Sequence, residues 1–212
     1  MHGNDRGTLF VISAPSGTGK STLARRLIES VPGLRFSVSY TTRPRRAGEE
    51  NGREYEFVDD ARFDAMVASG GFLEWAHVFA RKYGTGLAAT QAALAAGADL
   101  LLDIDVQGAR QVKASSLDAV LVFILPPDYD ALAVRLTRRG SEDPAALAVR
   151  LDEARREALE YDRFDYVVVN ADLEVASRQL AAIVTAESAR TARCRERVRE
   201  ILSTFPAPGA GA

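Results

Sequence analysis

The amino-acid sequence predicts an α/β protein in which helices cover both faces of a parallel sheet. Short, predominantly apolar runs at residues 8–13, 100–106, 120–125 and 166–169 are typical of strands buried on both faces. Helical patterns lie between these runs, and such an alternation is typical of parallel strands. A polar segment at residues 39–86 interrupts the alternation, so we expect a small inserted subdomain of mixed α/β structure.

Apolar residues spaced three and four apart predict the helices. The first covers residues 20–31 and stops at Pro32-Gly33. The same pattern predicts helices at residues 87–96, 129–139, 144–161 and 173–188. Asp143 is a suitable N-cap for the helix at 144–161, and Pro144 suits its first turn.

The inserted segment follows a different pattern, rich in aromatic residues, glycine and arginine. Asn51-Gly52 lies between extended-looking stretches and predicts a hairpin turn. Short strands are expected at residues 57–58 and 72–75, with a helix around residues 63–67 between them.

Length and composition exclude several classes of protein. The chain has 212 residues, 47% hydrophobic and 26% charged, which is ordinary for a globular domain with its own core. Its 27 Lys and Arg against 29 Asp and Glu provide no broad basic field for nucleic acid. The single cysteine, Cys194, excludes an internal disulfide, and with only two histidines a Cys/His zinc site is nearly excluded.

The apolar runs are also too short for a membrane protein. The run at residues 120–125 is far shorter than the roughly 20 residues that span a bilayer. Residues 1–7 are polar and lack the apolar segment of a secretory signal. We therefore expect a cytoplasmic protein that does not contact membranes.

A phosphate-binding loop is expected directly after the first strand. It consists of Ala14, Pro15, Ser16, Gly17, Thr18, Gly19, Lys20 and Ser21. Small residues let successive backbone N–H groups turn toward a phosphate, and the N-terminus of the next helix adds positive potential. Lys20 can reach the β- and γ-phosphates and the Ser21 hydroxyl can bind Mg²⁺, which predicts binding of a nucleoside triphosphate with Mg²⁺. Ala14 replaces the usual first glycine, and the alternative is an ordinary glycine-rich turn.

Several further motifs follow the loop in a fixed order. They read SAPSGTGKST, TTRPRRAGE, NGREY, FLEW, YGT, LDIDVQG, RLTRRG and VVVNAD. In this ordered set the chain closely resembles the guanylate kinase family, which transfers phosphate from ATP to GMP. The resemblance covers residues 7–187, and the bacterial members commonly carry alanine and proline where this chain has Ala14 and Pro15.

The resemblance implies the fold of a P-loop nucleoside monophosphate kinase. It divides residues 7–187 into a core (7–38, 87–134 and 158–187), a GMP-binding subdomain (39–86) and a helical LID (135–157). Residues 188–212 are left as a C-terminal helix and a flexible tail. This helix is arginine-rich, and it is open whether it is solvated, joins copies into a homo-oligomer or meets an anionic partner.

The resemblance also assigns the residues that hold the phosphate of GMP. They are Arg43, Arg46, Tyr55 and Tyr83. Guanidinium groups suit phosphate oxygens, and a tyrosine hydroxyl adds a neutral donor. The alternative for the arginines is a solvated charged face.

The residues that match the family's guanine-binding positions are Ser39, Glu74, Thr85 and Asp105. Guanine presents a ring N–H beside an exocyclic amine, and one carboxylate, Glu74, can accept from both. Ser39 and Thr85 can donate to the carbonyl oxygen. Adenine lacks this pattern, so buried partners would be left unpaired. The alternative for Glu74 is a surface carboxylate at a strand edge.

Asp103-Ile104-Asp105 is expected at the end of the strand at residues 100–106. Alternation along a strand puts both carboxylates on one face, at the edge of the sheet where ligands of α/β proteins lie. The resemblance implies that Asp103 lies near Mg²⁺ and binds it through water, together with Ser21. The alternative is that one of the two aspartates caps a helix.

The transfer itself needs no general base, because the acceptor is already an anion. The resemblance implies that Lys20, Arg135, Arg139 and Arg150 stabilise the transferred phosphate. Arg135 and Arg139 lie four residues apart and share a helix face, whereas Arg138 is expected to be solvated. We expect residues 39–86 and 135–157 to close over the substrates and exclude water.

Asn170 matches a position beside the family's adenine pocket, and the alternative is a turn-forming asparagine.

Two other functions stay open. A kinase of a phosphorylated sugar would share the phosphate loop but would not need Ser39, Glu74 and Thr85. A scaffold module of the same family typically lacks phosphate-loop or LID residues, whereas Lys20 and Ser21 are present here. The expected partners are therefore ATP and GMP.

Overall fold

The computed structural model describes residues 6–53, 55–78, 80–138 and 144–206. The strands are β1 (Leu9–Ser13), β2 (Arg35–Phe36), β3 (Ser39–Thr41), β4 (Tyr55–Phe57), β5 (Phe72–Val78), β6 (Arg81–Gly86), β7 (Leu100–Asp103), β8 (Ala119–Leu125) and β9 (Tyr166–Val169). The helices are α1 (Lys20–Ser30), α2 (Asp60–Ala68), α3 (Leu87–Ala95), α4 (Val106–Ala114), α5 (Tyr129–Arg138), α6 (Pro144–Ala158), α7 (Leu173–Ser188) and α8 (Arg195–Ser203).

The main sheet has five parallel strands in the order β2-β7-β1-β8-β9. The central strand β1 is buried along its whole length. Phe10 and Ile12 pack on one face with Leu23 and Leu27 of α1, while Leu9 packs with other apolar residues on the opposite face. The prediction of a parallel sheet covered on both faces is therefore confirmed.

The second sheet lies in the inserted segment and has the order β4-β3-β6-β5. Strand β6 pairs antiparallel with both β3 and β5, whereas β3 and β4 are parallel. Phe63 of α2 is fully buried, and its ring centroid lies 4.5 Å from that of Phe72 and 6.5 Å from that of Trp75. These aromatic contacts fix α2 to the sheet, as expected for a mixed subdomain.

The predicted hairpin at Asn51-Gly52 is wrong. Gly52 does form a turn with φ 82°, but β3 and β4 pair parallel, and Asn51 makes an isolated parallel bridge to Tyr55. A hairpin turn can join only antiparallel strands. The long connection between β3 and β4 therefore carries a local turn without reversing the sheet.

The strand predicted at residues 100–106 is shorter in the structure. It ends at Asp103, and Asp105 is the N-cap of α4, accepting a hydrogen bond from the Gly108 N–H at 2.8 Å. Helix capping, the alternative given for the two aspartates, therefore holds for Asp105. The sequence pattern did not predict α4 because the apolar run continues from the strand into the helix.

The remaining helices lie close to their predicted positions. Helix α7 has the predicted bounds, whereas α6 ends at Ala158 and is followed by a 3₁₀ turn at Leu159–Arg163. Asp143, predicted as an N-cap, lies outside the described residues, as do residues 207–212 of the tail predicted at residues 206–212. Among the helices that the structure describes, none is long and apolar enough to cross a membrane.

Candidate active site

The predicted phosphate loop connects β1 to α1 at the carboxyl end of the main sheet. Gly17 and Gly19 have φ 89° and 93°, in the left-handed region that favours glycine. The Thr18 hydroxyl donates to the Pro15 carbonyl at 3.0 Å inside the loop. Gly19 caps α1 without a side-chain bond, so the first N–H groups of this helix face the loop. This arrangement suits an anion.

Lys20 and Asp103 form an ion pair beside the loop. Both side chains are largely buried, with about a fifth of each exposed. Asp103 ends β7, which is the neighbour of β1, so its carboxylate and the loop lie at the same edge of the sheet. Ser21, the other predicted magnesium residue, lies exposed on the first turn of α1.

Asn170 supports the loop from behind. Its side chain is 5% exposed and donates to the Thr18 carbonyl at 2.7 Å. Arg135 reaches the same place, where it donates to the carbonyls of Asn170 at 2.9 Å and Thr18 at 3.3 Å. The structure therefore gives Asn170 a contact with the loop backbone, which the sequence interpretation did not include.

A cavity of about 420 Å³ lies beside these residues. It is lined by Gly17, Thr18, Gly19, Thr22, Arg135, Arg138, Asn170, Ala171 and Leu173. Arg138 is exposed, as expected for a solvated residue, and its side chain also lines this cavity, because residues three apart on α5 lie on neighbouring positions of one face. Arg139 lies outside the described residues.

Helix α6 contacts the loop from the opposite side. Arg150 donates to the Ser16 hydroxyl at 3.3 Å. The Ser16 N–H donates to the Glu157 carboxylate at 3.3 Å, and burial raises the pKa of this half-buried glutamate. Sequence reasoning missed Glu157, because nothing in the pattern of a surface helix distinguishes one carboxylate that faces a loop. The Ser16 N–H of the loop therefore already faces the carboxylate of Glu157.

Four of the predicted acceptor residues form one row across the second sheet. In register, Tyr55 pairs with Ser39, Ser39 with Thr85, and Thr85 with Glu74. Residues paired directly across neighbouring strands point to the same face of a sheet. Side chains that are up to 46 positions apart in the chain therefore share one surface.

Glu74 is buried, with 5% of its surface exposed, and its neighbour Thr85 in the row is fully buried. The Thr85 hydroxyl donates to its Oε1 at 2.5 Å. Burial raises the pKa of Glu74 to about 7, and the nearby charge of Asp105 adds to the rise, while the Thr85 bond and the Lys20 charge oppose it. The carboxylate is thus poised to change charge near neutral pH.

Arg43 and Glu49 form a two-pronged ion pair at the opposite end of the row. The Nη1 and Nη2 atoms of Arg43 lie 3.1 and 2.8 Å from the Glu49 oxygens, and the Arg46 N–H donates to Glu49 at 2.7 Å. The guanidinium also lies over the Tyr55 ring, 5.4 Å from its centroid. These bonds hold the pKa of Glu49 below its ordinary value.

Glu49 therefore binds the guanidinium of Arg43 and the backbone N–H of Arg46, the two arginines that were predicted to hold a phosphate. Sequence reasoning quoted it within the TTRPRRAGE motif without a role, and its spacing of three to six residues from the two arginines is the signal that was available. Tyr83 lies on the same side, with its ring centroid 5.9 Å from that of Tyr55. The structure thus brings Arg43, Tyr55 and Tyr83 together, and the backbone N–H of Arg46 is linked to them through Glu49.

The loop and the second sheet meet at the end of the main sheet. The charges of Lys20 and Asp105 act on Glu74 of the second sheet and also on Glu157 of α6. No group of three or more His, Cys, Asp or Glu within the described ranges could hold a metal ion. Ser21 and Asp103 offer hard oxygen ligands of the kind that Mg²⁺ prefers when phosphates and water complete its shell.

Comparison with known proteins identifies the family behind this geometry. The model of the guanylate kinase family matches residues 6–187. A guanylate kinase of Syntrophotalea carbinolica is 50% identical over 189 residues, which is 89% of this chain and 90% of that protein. A guanylate kinase of Chromohalobacter salexigens is 46% identical over 200 residues, covering 94% of this chain and 93% of that one.

A solved structure agrees with these matches. The crystal structure of a guanylate kinase from Anaplasma phagocytophilum superposes with a TM-score of 0.73 at 32% sequence identity. The match covers 97% of this chain and 98% of that chain. The similarity therefore extends over both sheets rather than the phosphate loop alone.

Proposed function

The chain belongs to the guanylate kinase family and transfers a phosphoryl group from ATP to GMP, and we propose that its loop binds the donor while its second sheet binds the acceptor. The observation that carries this division is the row formed by Tyr55, Ser39, Thr85 and Glu74 across four strands. Such a row places hydrogen-bonding groups side by side, as the edge of a purine requires. The division assigns the core to residues 7–38, 87–134 and 158–187, the acceptor subdomain to 39–86 and the LID to 135–157.

On the donor side, the loop N–H groups and Lys20 bind the β- and γ-phosphates of ATP. Ser21 would hold Mg²⁺ directly and Asp103 through water, and the ion would neutralise charge on the phosphates. Lys20 must then exchange part of its contact with Asp103 for phosphate oxygens. The cavity beside Arg135, Arg138 and Asn170 has the position and size to accept the adenine ring of the donor.

On the acceptor side, Arg43, Arg46, Tyr55 and Tyr83 bind the phosphate of GMP. The guanidinium of Arg43 has further N–H groups beyond those that Glu49 occupies, so it can bind a phosphate while the ion pair persists. Glu49 holds the Arg43 guanidinium and the Arg46 backbone in place, which lowers the conformational-entropy cost of binding the phosphate.

Guanine recognition rests on a charged Glu74. An ionised carboxylate accepts from the ring N–H and the exocyclic amine together, while Ser39 donates to the carbonyl oxygen. The single O–H of Thr85 donates to Glu74, so Thr85 would have to give up that bond to donate to the carbonyl oxygen as well. Asp105 contacts the base from the N-terminus of α4. A protonated Glu74 would present a donor to a donor, so GMP binding favours the ionised form.

Transfer then needs position and positive charge rather than a base. Lys20, Arg135, Arg139 and Arg150 supply that charge to the moving phosphoryl group. Arg135 and Arg150 already contact the loop, at the Thr18 carbonyl and the Ser16 hydroxyl. Closure of residues 39–86 and 135–157 over both nucleotides excludes water, since water would otherwise accept the phosphate.

A coupled assay tests this proposal with ATP as donor and either GMP or AMP as acceptor. The proposal expects turnover of GMP and a preference over AMP of about 10⁴ or more in kcat/KM. Equal turnover of both nucleotides would overturn the assignment of the second sheet to guanine. A cytoplasmic location and a homo-oligomeric state stay predictions of the sequence.

A further inference from the structure

The carboxylate of Glu74 lies against the first turn of α4, and the contact is made at Gly108. A Cβ atom built on Gly108 would lie 2.6 Å from Glu74 Oε2 and 3.2 Å from the Cδ1 atom of Ile104. The first separation is far below van der Waals contact. Any side chain at position 108 therefore overlaps the carboxylate, unless the carboxylate moves.

Glu74 has little freedom to move away. The Thr85 hydroxyl binds its other oxygen at 2.5 Å, and the residue is buried. The neighbouring residue Trp75 is tied to α4 by both backbone groups, because its N–H donates to Gln111 Oε1 at 3.1 Å and its carbonyl accepts from Gln111 Nε2 at 2.7 Å. Strand β5 and helix α4 are thus held together at the level of Glu74.

The backbone gives no reason for a glycine at position 108. The residue lies within α4, and it is not among the described glycines with positive φ. Alanine is a better helix former than glycine, so a glycine here weakens the helix. What the glycine provides is space, at the position where the buried Glu74 carboxylate meets the helix.

We propose that Gly108 is a positioning residue for guanine recognition, whose missing side chain lets the Glu74 carboxylate reach the point from which it binds the purine. The inference rests on the proposed role of Glu74 in binding guanine. Gly108 itself does not touch the base. It acts through the carboxylate, and any residue with a Cβ atom displaces that group.

The substitution Gly108→Ala isolates this effect. It keeps the N–H that donates to Asp105, so the helix cap is preserved, and it adds one methyl group. We expect the KM for GMP to rise about tenfold or more while the KM for ATP stays within about twofold. Thermal unfolding should show that the variant still folds cooperatively. Gln107→Ala, at the exposed neighbouring position of α4, is the control and should leave both KM values unchanged.

A double-variant cycle with Glu74→Asp separates positioning from damage to the helix. Aspartate is one methylene shorter, so its carboxylate leaves room for the new methyl group. In the Glu74→Asp background, Gly108→Ala should change the KM for GMP by less than about threefold. An equal rise in both backgrounds, or an equal rise in the KM for ATP, would overturn the proposal.

The double variant also covers the case in which Gly108→Ala does not fold. The double variant should then fold, because the shorter carboxylate removes the overlap. A double variant that also fails to fold would contradict the inference.

Glu74→Gln tests the proposed role of Glu74 in guanine binding by itself. An unchanged KM for GMP in Glu74→Gln removes Glu74 from guanine binding, whereas a raised KM there with an unaffected Gly108→Ala removes only Gly108.

Discussion

The donor loop and the acceptor sheet reach the same edge of the molecule by different means. The loop is one continuous stretch, residues 14–21, held by bonds to its own backbone, with the Thr18 carbonyl accepting from Asn170 and Arg135. The acceptor sheet collects its residues from four strands and fixes them through pairs of side chains, such as Glu74 with Thr85. The binding groups of the loop therefore come from one short stretch of backbone that distant side chains support, whereas acceptor geometry depends on strand register.

Because of this difference, we expect substitutions in the loop and in the acceptor sheet to change different kinetic constants. Few side-chain changes remove a backbone N–H group, so the loop is vulnerable mainly at Lys20 and at Gly17 and Gly19, whose positive φ other residues adopt only under strain. The acceptor sheet is proposed to act through its side chains, so each substitution there should affect GMP alone. Substitutions in the loop should lower kcat, and substitutions in the acceptor sheet should raise the KM for GMP.

The largest expected effect is that of Lys20→Ala. Loss of the positive charge at the transferred phosphate should lower kcat about 10³-fold, while GMP binding measured by calorimetry stays within about threefold. Lys113→Ala, an exposed lysine at the end of α4, is the matched control and should keep full activity. A Lys20→Ala enzyme with normal kcat would remove the functional division between the two regions.

Glu74→Gln should have the next largest effect. The glutamine can still accept from Thr85, but its amide presents donors to the donors of guanine, so kcat/KM for GMP should fall about 10²-fold. The kcat/KM for AMP should not fall, and the KM for ATP should change less than about twofold. Unchanged discrimination against AMP would exclude Glu74 from base recognition.

The raised pKa of Glu74 predicts that kcat/KM for GMP depends on pH in the neutral range, whereas the KM for ATP, which binds at the donor loop, should not. Because the carboxyl has a pKa of about 7 in the folded chain, kcat/KM for GMP should fall as pH drops below about 7, approaching tenfold per pH unit. In Glu74→Gln this fall should disappear. A wild-type profile that stays flat between pH 5 and pH 7 would contradict a neutral-range titration of Glu74.

The same shift has the opposite sign for stability. The folded chain holds the Glu74 proton more tightly than the unfolded chain, so this residue lowers stability as pH rises from about 4.5 to about 7. Glu74→Gln should therefore unfold at a higher Tm than wild type at pH 8. The advantage should shrink as the pH is lowered to 5, where the glutamate is protonated in the folded state.

The smallest expected effect is that of Glu49→Gln. This change removes the anion that pairs with the Arg43 guanidinium and accepts from the Arg46 N–H, so the KM for GMP should rise about fivefold with little change in kcat. Glu29→Gln, an exposed charge change on α1, is the control. A fall in kcat without a rise in KM would mean that Glu49 acts on the transfer instead of the acceptor.

The contrast also explains how much could be predicted from the sequence. The apolar strands and the loop were identified from contiguous residues, because burial on both faces and phosphate binding leave local patterns. The family resemblance supplied Ser39, Glu74 and Thr85, and the structure adds that their strands are in register. Periodicity alone could not have placed these three residues side by side.

What the sequence could not provide were contacts between distant elements. Asn51-Gly52 forms a turn but not the predicted hairpin, because β3 and β4 pair parallel and strand pairing depends on the tertiary structure. The contact of Glu157 with the Ser16 N–H and the space at Gly108 arise where a helix meets a loop or a strand. Such contacts produce no periodic pattern in the amino-acid sequence.

The central claim is that the row of side chains in the acceptor sheet reads the hydrogen-bonding edge of guanine through Glu74. Calorimetric binding of GMP and IMP tests it most directly, because IMP lacks only the exocyclic amine. We predict that wild type binds GMP about tenfold or more tightly than IMP, and that Glu74→Gln brings the two affinities within about threefold. A Glu74→Gln protein that keeps the wild-type preference would contradict the account.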